Sequence, residues 1–146
     1  MERSYVELLS ADPEHWEPSR EDWLRFDSEA FANPETIGVC VFVTVMGGDV
    51  VGFGSYDPRQ APMLGIVGHN CVVPEFRGLS FGRRQIEEIL RRFRDRGIVR
   101  ASVQTGDHPF FVPAQRMYLA SGFSEIRRLP GGSDPRYGLI EYARDV

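Results

Sequence analysis

The sequence predicts a mixed α/β fold, a β-sheet with helices packed on it. Three observations carry this. Ile37 to Met46, the glycine turn Gly47-Gly48-Asp49 and Val50 to Tyr56 read as strand, hairpin turn and strand. Ile86, Ile89, Leu90 and Phe93 recur at i, i+3, i+4 and i+7, the apolar stripe of a helix. Beyond that helix, strand-like and helical runs alternate to the end of the chain, with no internal repeat. A chain of 146 residues with 42% apolar content suits one domain over residues 1–146 with a sizeable core.

The elements follow in order. Tyr5 to Leu9 reads as a short first strand, and Ala11 to Pro18, with two prolines, as a loop. Ser19 is an N-cap signal before acidic residues, and Trp23, Phe26, Ala30 and Phe31 recur at helical spacing until Asn33-Pro34. The valine-rich run 37–46 suits a strand buried on both faces. Asp57 to Pro62 is a connection. Met63 to Val73 is a long strand, in which Gly65 and Gly68 mark a bulge or the close approach of another group. Alternation places Val67, His69, Cys71 and Val73 on one face of it and Gly68, Asn70 and Val72 on the other. A helix opens at Phe81 or Gly82, is braced by Glu87–Arg91 and Glu88–Arg92 pairs, and ends at Gly97. Ile98 to Gln104 is a strand, 105–109 a loop, and Phe110 to Ala120 a helix. Phe123 to Leu129 and Tyr137 to Ala143 are closing strands, joined by a turn-rich loop from Pro130 to Pro135.

Composition excludes several classes. No apolar run is long enough to cross a bilayer, and the acid-bearing N-terminus lacks a secretory h-region, so neither membrane nor secretion is expected. Cys40 and Cys71 lie in apolar runs and read as reduced, buried thiols of a cytoplasmic protein. The three histidines are far apart and no Cys-x-x-Cys occurs, so no metal site is expected. A formal net charge of -4 argues against nucleic-acid binding, although six arginines crowd the stretch from Arg83 to Arg96.

The stretch Cys71 to Arg83 reads as strand, tight loop and helix start. Such a loop presents unpaired backbone N–H groups at the positive end of a helix dipole, a site for a phosphate. Arg77, Arg83 and Arg84 add charge there. Two phosphate motifs fail: no Lys-Ser/Thr follows Gly82, as a Walker loop requires, and the G-x-G-x-x-G spacing of a dinucleotide site is missing. The sequence Arg77-Gly78-Leu79-Ser80-Phe81-Gly82 resembles the acyl-CoA loop R/Q-x-x-G-x-G/A of the GNAT acetyltransferase superfamily, with Ser80 where the family usually has glycine. Ala114-x-x-x-Tyr118-x-x-x-Gly122-Phe123 is similar to the family's later motif. The usual asparagine seven residues before the tyrosine is Phe111 here. The resemblance covers roughly residues 37–143; residues 1–36 do not match and would supply a shortened start.

The resemblance implies a mostly antiparallel sheet with helices on both faces and strands splayed around the CoA site. It implies acetyl-CoA as co-substrate, with pyrophosphate on the N–H groups from Gly78 to Gly82. Its thioester would lie beside the backbone of Val72 and Val73, and Tyr118 would be the general acid that protonates the CoA thiolate. A primary amine of a small molecule or peptide would attack directly. His69 stands under two readings, a hydrogen-bonded core histidine and a general base. Asp107 and His108 read as loop capping, and Phe110 and Phe111 as core or pocket wall. Asp27, Glu29 and Asp57 offer attraction for a cationic amine. A homodimer stays open. Two other functions remain: a non-catalytic acyl-CoA-binding domain of the same fold, and an interaction module for another phosphate ligand.

Overall fold

The computed structural model describes residues 1–131 and 135–146; part of the loop expected from Pro130 to Pro135 lies outside the described residues. The chain opens with two helices, α1 (Glu2–Ala11) and α2 (Pro13–Ala32), and no strand. The strand expected at Tyr5 to Leu9 is helical because a helical period, not an alternating one, turns Ser4 and Leu8 inward, to 6% and 2% exposure. The loop expected at Ala11 to Pro18 is the start of α2. Asp12 is its N-cap and accepts from the His15 N–H at 3.2 Å. Pro13 takes the first helical position, where an N–H would have no partner. Pro18 removes one internal hydrogen bond without ending the helix, and Ser19 lies inside it rather than at its cap.

Among the described residues six strands follow: β1 (Val41–Met46), β2 (Asp49–Gln60), β3 (Leu64–Val72), β4 (Arg100–Gly106), β5 (Ser124–Leu129) and β6 (Leu139–Asp145). They form one sheet in the order β1-β2-β3-β4-β6-β5, antiparallel except for β3 and β4. The strand expected over 37–46 is shorter and is not buried on both faces. As the end strand of the sheet it leaves Val43 and Val45 more than half exposed. Helices α3 (Phe81–Asp95) and α4 (Val112–Ala120) pack on one face around Ile86, Ile89, Phe93 and Tyr118. Burying each such side chain contributes roughly 1.5–3 kcal/mol. Helices α1 and α2 cover part of the other face, with Phe26 against Phe53 and His69. On α3, Glu88 pairs with both Arg91 and Arg92, while Glu87 pairs back to Arg83 rather than to Arg91.

A bulge in β3 decides which side chains face which helices. Gly54 is opposite Asn70 and Tyr56 is opposite Val67, so Ser55 alone faces both Gly68 and His69. The Ser55 hydroxyl fills the kink: it accepts from the His69 N–H at 2.8 Å. A Cβ on Gly68 would lie 2.5 Å from that oxygen. The bulge breaks the alternation expected for this strand at one place: Val67 leaves the face it was expected to share with His69 and Cys71. Val67 joins the α3 core, Asn70 follows it and donates to Gln85 on α3 at 2.6 Å, and His69 and Cys71 turn toward α2 and α1.

Candidate active site

Strands β3 and β4 pair only at Gly65–Ala101 and Ile66–Ser102, then part. Their separation opens a cleft of about 610 Å³ between the end of β3, the loop before α3, α1 and α4. The β2-facing edge of β3 is fully used. The Val73 N–H donates to Val51 O at 3.0 Å, so it is not available to a ligand. In an antiparallel ladder the alternate residue points the other way, which turns the N–H and C=O of Val72 toward the cleft. Arg77 Nε reaches that carbonyl at 3.4 Å. Of the two valines read as candidates, Val72 lines the cleft and Val73 does not.

The loop from Arg77 to Ser80 forms the next wall. Gly78 has φ 76°, and Ser80, the N-cap of α3, has φ 64°. That left-handed geometry is what glycine adopts without penalty, which explains the resemblance's usual glycine at this position. The first hydrogen bond within the helix runs from Arg84 N to Ser80 O at 3.1 Å. Among the described residues the N–H groups of 78–83 have no protein acceptor. Gly78, Ser80, Phe81, Gly82 and Arg83 line the cleft; Leu79 points outward, 53% exposed. A Cβ on Gly82 would lie 2.8 Å from Met117 Sδ, so glycine there lets α4 approach α3. Arg77 is held across the cleft mouth by Glu7 at 3.1 Å, by Ser4 O and over the Phe110 ring at 5.5 Å. Arg83 pairs with Glu87 at 3.0 Å, and Arg84 lies over Phe81.

Below the loop, the buried Gln85 ties three elements together. Its amide donates to Thr44 Oγ1 at 2.7 Å and Cys71 O at 3.2 Å, and accepts from Asn70. Gly52 leaves the space: a Cβ there would lie 2.3 Å from Cys71 O.

The floor carries the titratable groups. Tyr118 is 5% exposed, and among the described residues its hydroxyl has no hydrogen-bond partner; the side chain lines the cleft. Burial, helped by nearby Cys71, pushes its phenol well above the ordinary range, so it holds its proton. Tyr5, from α1, is a second buried phenol here. It stacks on Trp23 at 4.6 Å and accepts from the Cys71 thiol at 3.5 Å. Its pKa is raised mainly by burial, and that of Cys71 likewise. His69 lines the cleft, edge-on to Phe26 at 4.9 Å; burial lowers its pKa, with Asp27 opposing. Asp27, Glu29 and Asp57, expected to attract a cationic amine, are not among the groups lining the cleft. Of the two residues read as loop capping, Asp107 and His108, it is His108 whose Nδ1 accepts from the Phe110 N–H, at 3.3 Å. The described residues contain no group of three or more metal ligands, and no helix among them is long and apolar enough to cross a membrane.

Sequence reasoning missed Ser4, Tyr5 and Gln85. Asp12-Pro13, an N-cap followed by proline at N1, was the available signal that helices precede the sheet. Nothing local marks Gln85, whose partners are fourteen or more residues away.

No curated protein matches the sequence. Solved structures do match in fold. Ard1 from Thermoplasma volcanium has a TM-score of 0.69 at 18% identity, covering 80% of this chain and 76% of that one. An aminoglycoside 6'-N-acetyltransferase complexed with coenzyme A has a TM-score of 0.65 at 15% identity, covering 72% and 71%. A GNAT family acetyltransferase from Elizabethkingia anophelis with acetyl-CoA bound has a TM-score of 0.63 at 9% identity, covering 73% and 75%. The family model described as acetyltransferase (GNAT) family matches residues 3–123, taking in most of the 1–36 stretch that showed no motif. With the splayed strands and the loop geometry, that match establishes that the chain belongs to the GNAT acetyltransferase family.

Proposed function

We propose that this protein transfers an acetyl group from acetyl-CoA to a primary amine of a small molecule or peptide, by direct attack. The observation that carries the reading is the unpartnered Tyr118 phenol, facing a cleft whose opposite side is the open edge of β3. The unpaired N–H groups of Gly78 to Gly82 would take the pyrophosphate, with Arg77 and Arg83 at its edges. The Val72 N–H, rather than that of Val73, would meet the acyl-pantetheine chain. As the amine nitrogen bonds to the acetyl carbon, the C–S bond breaks and Tyr118 gives its proton to the departing thiolate. A raised phenol pKa keeps that proton in place until the thiolate forms. His69, neutral at pH 7, would accept the proton lost by the amine through water. Cys71 is 3% exposed with a raised pKa, which disfavours a covalent acyl-enzyme.

Thermal-shift titrations with acetyl-CoA, ATP and NAD test the donor, and thiol release from acetyl-CoA with added amines tests the reaction. Stabilisation by acetyl-CoA with amine-dependent thiol release is expected. Stabilisation by ATP or NAD without acetyl-CoA would overturn the reading.

A further inference from the structure

Beside the cleft lies a second cavity of about 240 Å³, between the first turn of α2, the end of β4 and the start of β6. Gly106, Phe111 and Leu139 line both spaces, so the two share a wall. Its other walls are rings. His15 stacks on Tyr137 at 3.6 Å, Trp16 meets Tyr137 edge-on at 5.2 Å, and His108 is tilted to Tyr137 at 5.5 Å. Trp16 also approaches Phe111 at 5.9 Å. The Phe111 ring lies over Gly106, where a Cβ would be 2.5 Å away, and both residues border the annex and the cleft where the two adjoin.

Of the carboxylates beside this annex, Asp12 is already matched, while Asp107 lies behind Gly138, outside the lining. Asp12 caps the His15 N–H, accepts from the Tyr137 hydroxyl at 2.7 Å and pairs with Arg136 at 3.2 Å. The Arg136 guanidinium lies over Tyr137 at 5.0 Å, the place an outside cation would take on that ring. Among the described residues lining the main cleft, the groups able to carry positive charge are Arg77, Arg83 and His69, and none of the lining residues carries a carboxylate. That sign suits a phosphate-bearing donor and repels extra ammonium groups on an acceptor.

We infer that the acceptor is a primary amine carried on an aromatic or similarly flat apolar body, seated in this ring-lined annex with its nitrogen directed into the cleft, and that polycationic amines are poor acceptors. The inference rests on the acetyltransferase reading and adds a substrate class to it. A ring buried against Trp16 and Phe111 gains the apolar contact that an alkyl chain gains less of, and a polyamine would bring further positive charge to a cleft lined by Arg77 and Arg83.

The test compares phenethylamine, n-butylamine and spermidine. Calorimetry on the CoA-saturated protein measures binding, and thiol release from acetyl-CoA measures turnover. Phenethylamine should exceed n-butylamine by about tenfold or more in kcat/KM, with spermidine below both. Trp16→Leu and Phe111→Leu should bring the phenethylamine-to-butylamine ratio toward one; the second variant decides if the first fails to fold. Spermidine equal to or better than phenethylamine, or a ratio unchanged in a folded variant, overturns the inference alone. If no amine turns over, calorimetry decides: absence of phenethylamine binding overturns it. Failure to bind acetyl-CoA overturns the acetyltransferase reading instead.

Discussion

The two walls of the cleft are built in opposite ways. The wall from Val72 to Arg83 is nearly continuous in sequence: one strand end, the connection over residues 73–80 and one helix start present their own backbone. The wall from α1 and α2 touches the sheet only through side chains, with Tyr5 on Cys71 and Phe26 on His69. A backbone wall binds through groups every residue has, so its specificity lies in glycine positions and φ angles. A side-chain wall depends on which rings meet, and those contacts span tens of residues of sequence. The same cleft can therefore hold one donor through a short motif while its acceptor side differs freely between relatives.

Five changes test this contrast, from the largest expected effect to the smallest. Tyr118→Phe, at the floor shared by both walls, should lower turnover by roughly a hundredfold or more while CoA affinity stays within about threefold. Steady-state kinetics with calorimetry checks this, and unchanged turnover would remove Tyr118 as the acid. Gly52→Ala, behind the backbone wall, should cost on the order of 2–3 kcal/mol in urea unfolding, because its Cβ would meet the Cys71 carbonyl and the Gln85 amide together. A neutral result would mean the Gln85 tie is not what positions the loop.

His69 tests the side-chain wall through pH. Its pKa is depressed by burial relative to an unfolded value near 6.5. The unfolded chain therefore binds the proton more readily, so the stabilisation is present above about pH 6.5 and is lost as pH falls through the folded value. His69→Gln should flatten that part of the stability–pH curve, read from urea midpoints between pH 7.5 and 5; an identical slope would place the imidazole in solvent. Ser80→Gly, confined to the backbone wall, should raise stability by about 1 kcal/mol and keep or improve CoA binding. A marked loss of binding would give the Ser80 side chain a direct role. Glu7→Gln loosens Arg77 where the two walls touch, and as a surface pair should tighten CoA binding only by about two- to fivefold. No change would mean Arg77 is already free to meet the ligand.

How much was legible follows the same division. The hairpin at Gly47-Gly48, the α3 stripe, the Gly97 terminus and the loop at 77–82 were all readable, because turns, helix ends and amphipathic stripes are set by neighbours in sequence. Helix α1 was read as a strand, and the first turns of α2 were read as a loop because of Pro13 and Pro18, whereas proline at N1 costs nothing and one lost bond does not end a twenty-residue helix. Val67 was placed on the wrong face of β3 because alternation holds only without a bulge, and the bulge forms opposite Ser55 on another strand.

By itself, then, the sequence determined the family motifs, the order of elements from β1 onward and the glycine-bearing loop with its helix, all matters of spacing within about fifteen residues. Only the tertiary structure decided that β3 and β4 part after two pairs, that Val72 rather than Val73 faces the gap, and that Tyr5 joins Tyr118 on the cleft floor. Hydrogen-bond parity, bulge position and helix docking arise from strands and helices meeting across long stretches of chain, and no local pattern of residues encodes where they meet.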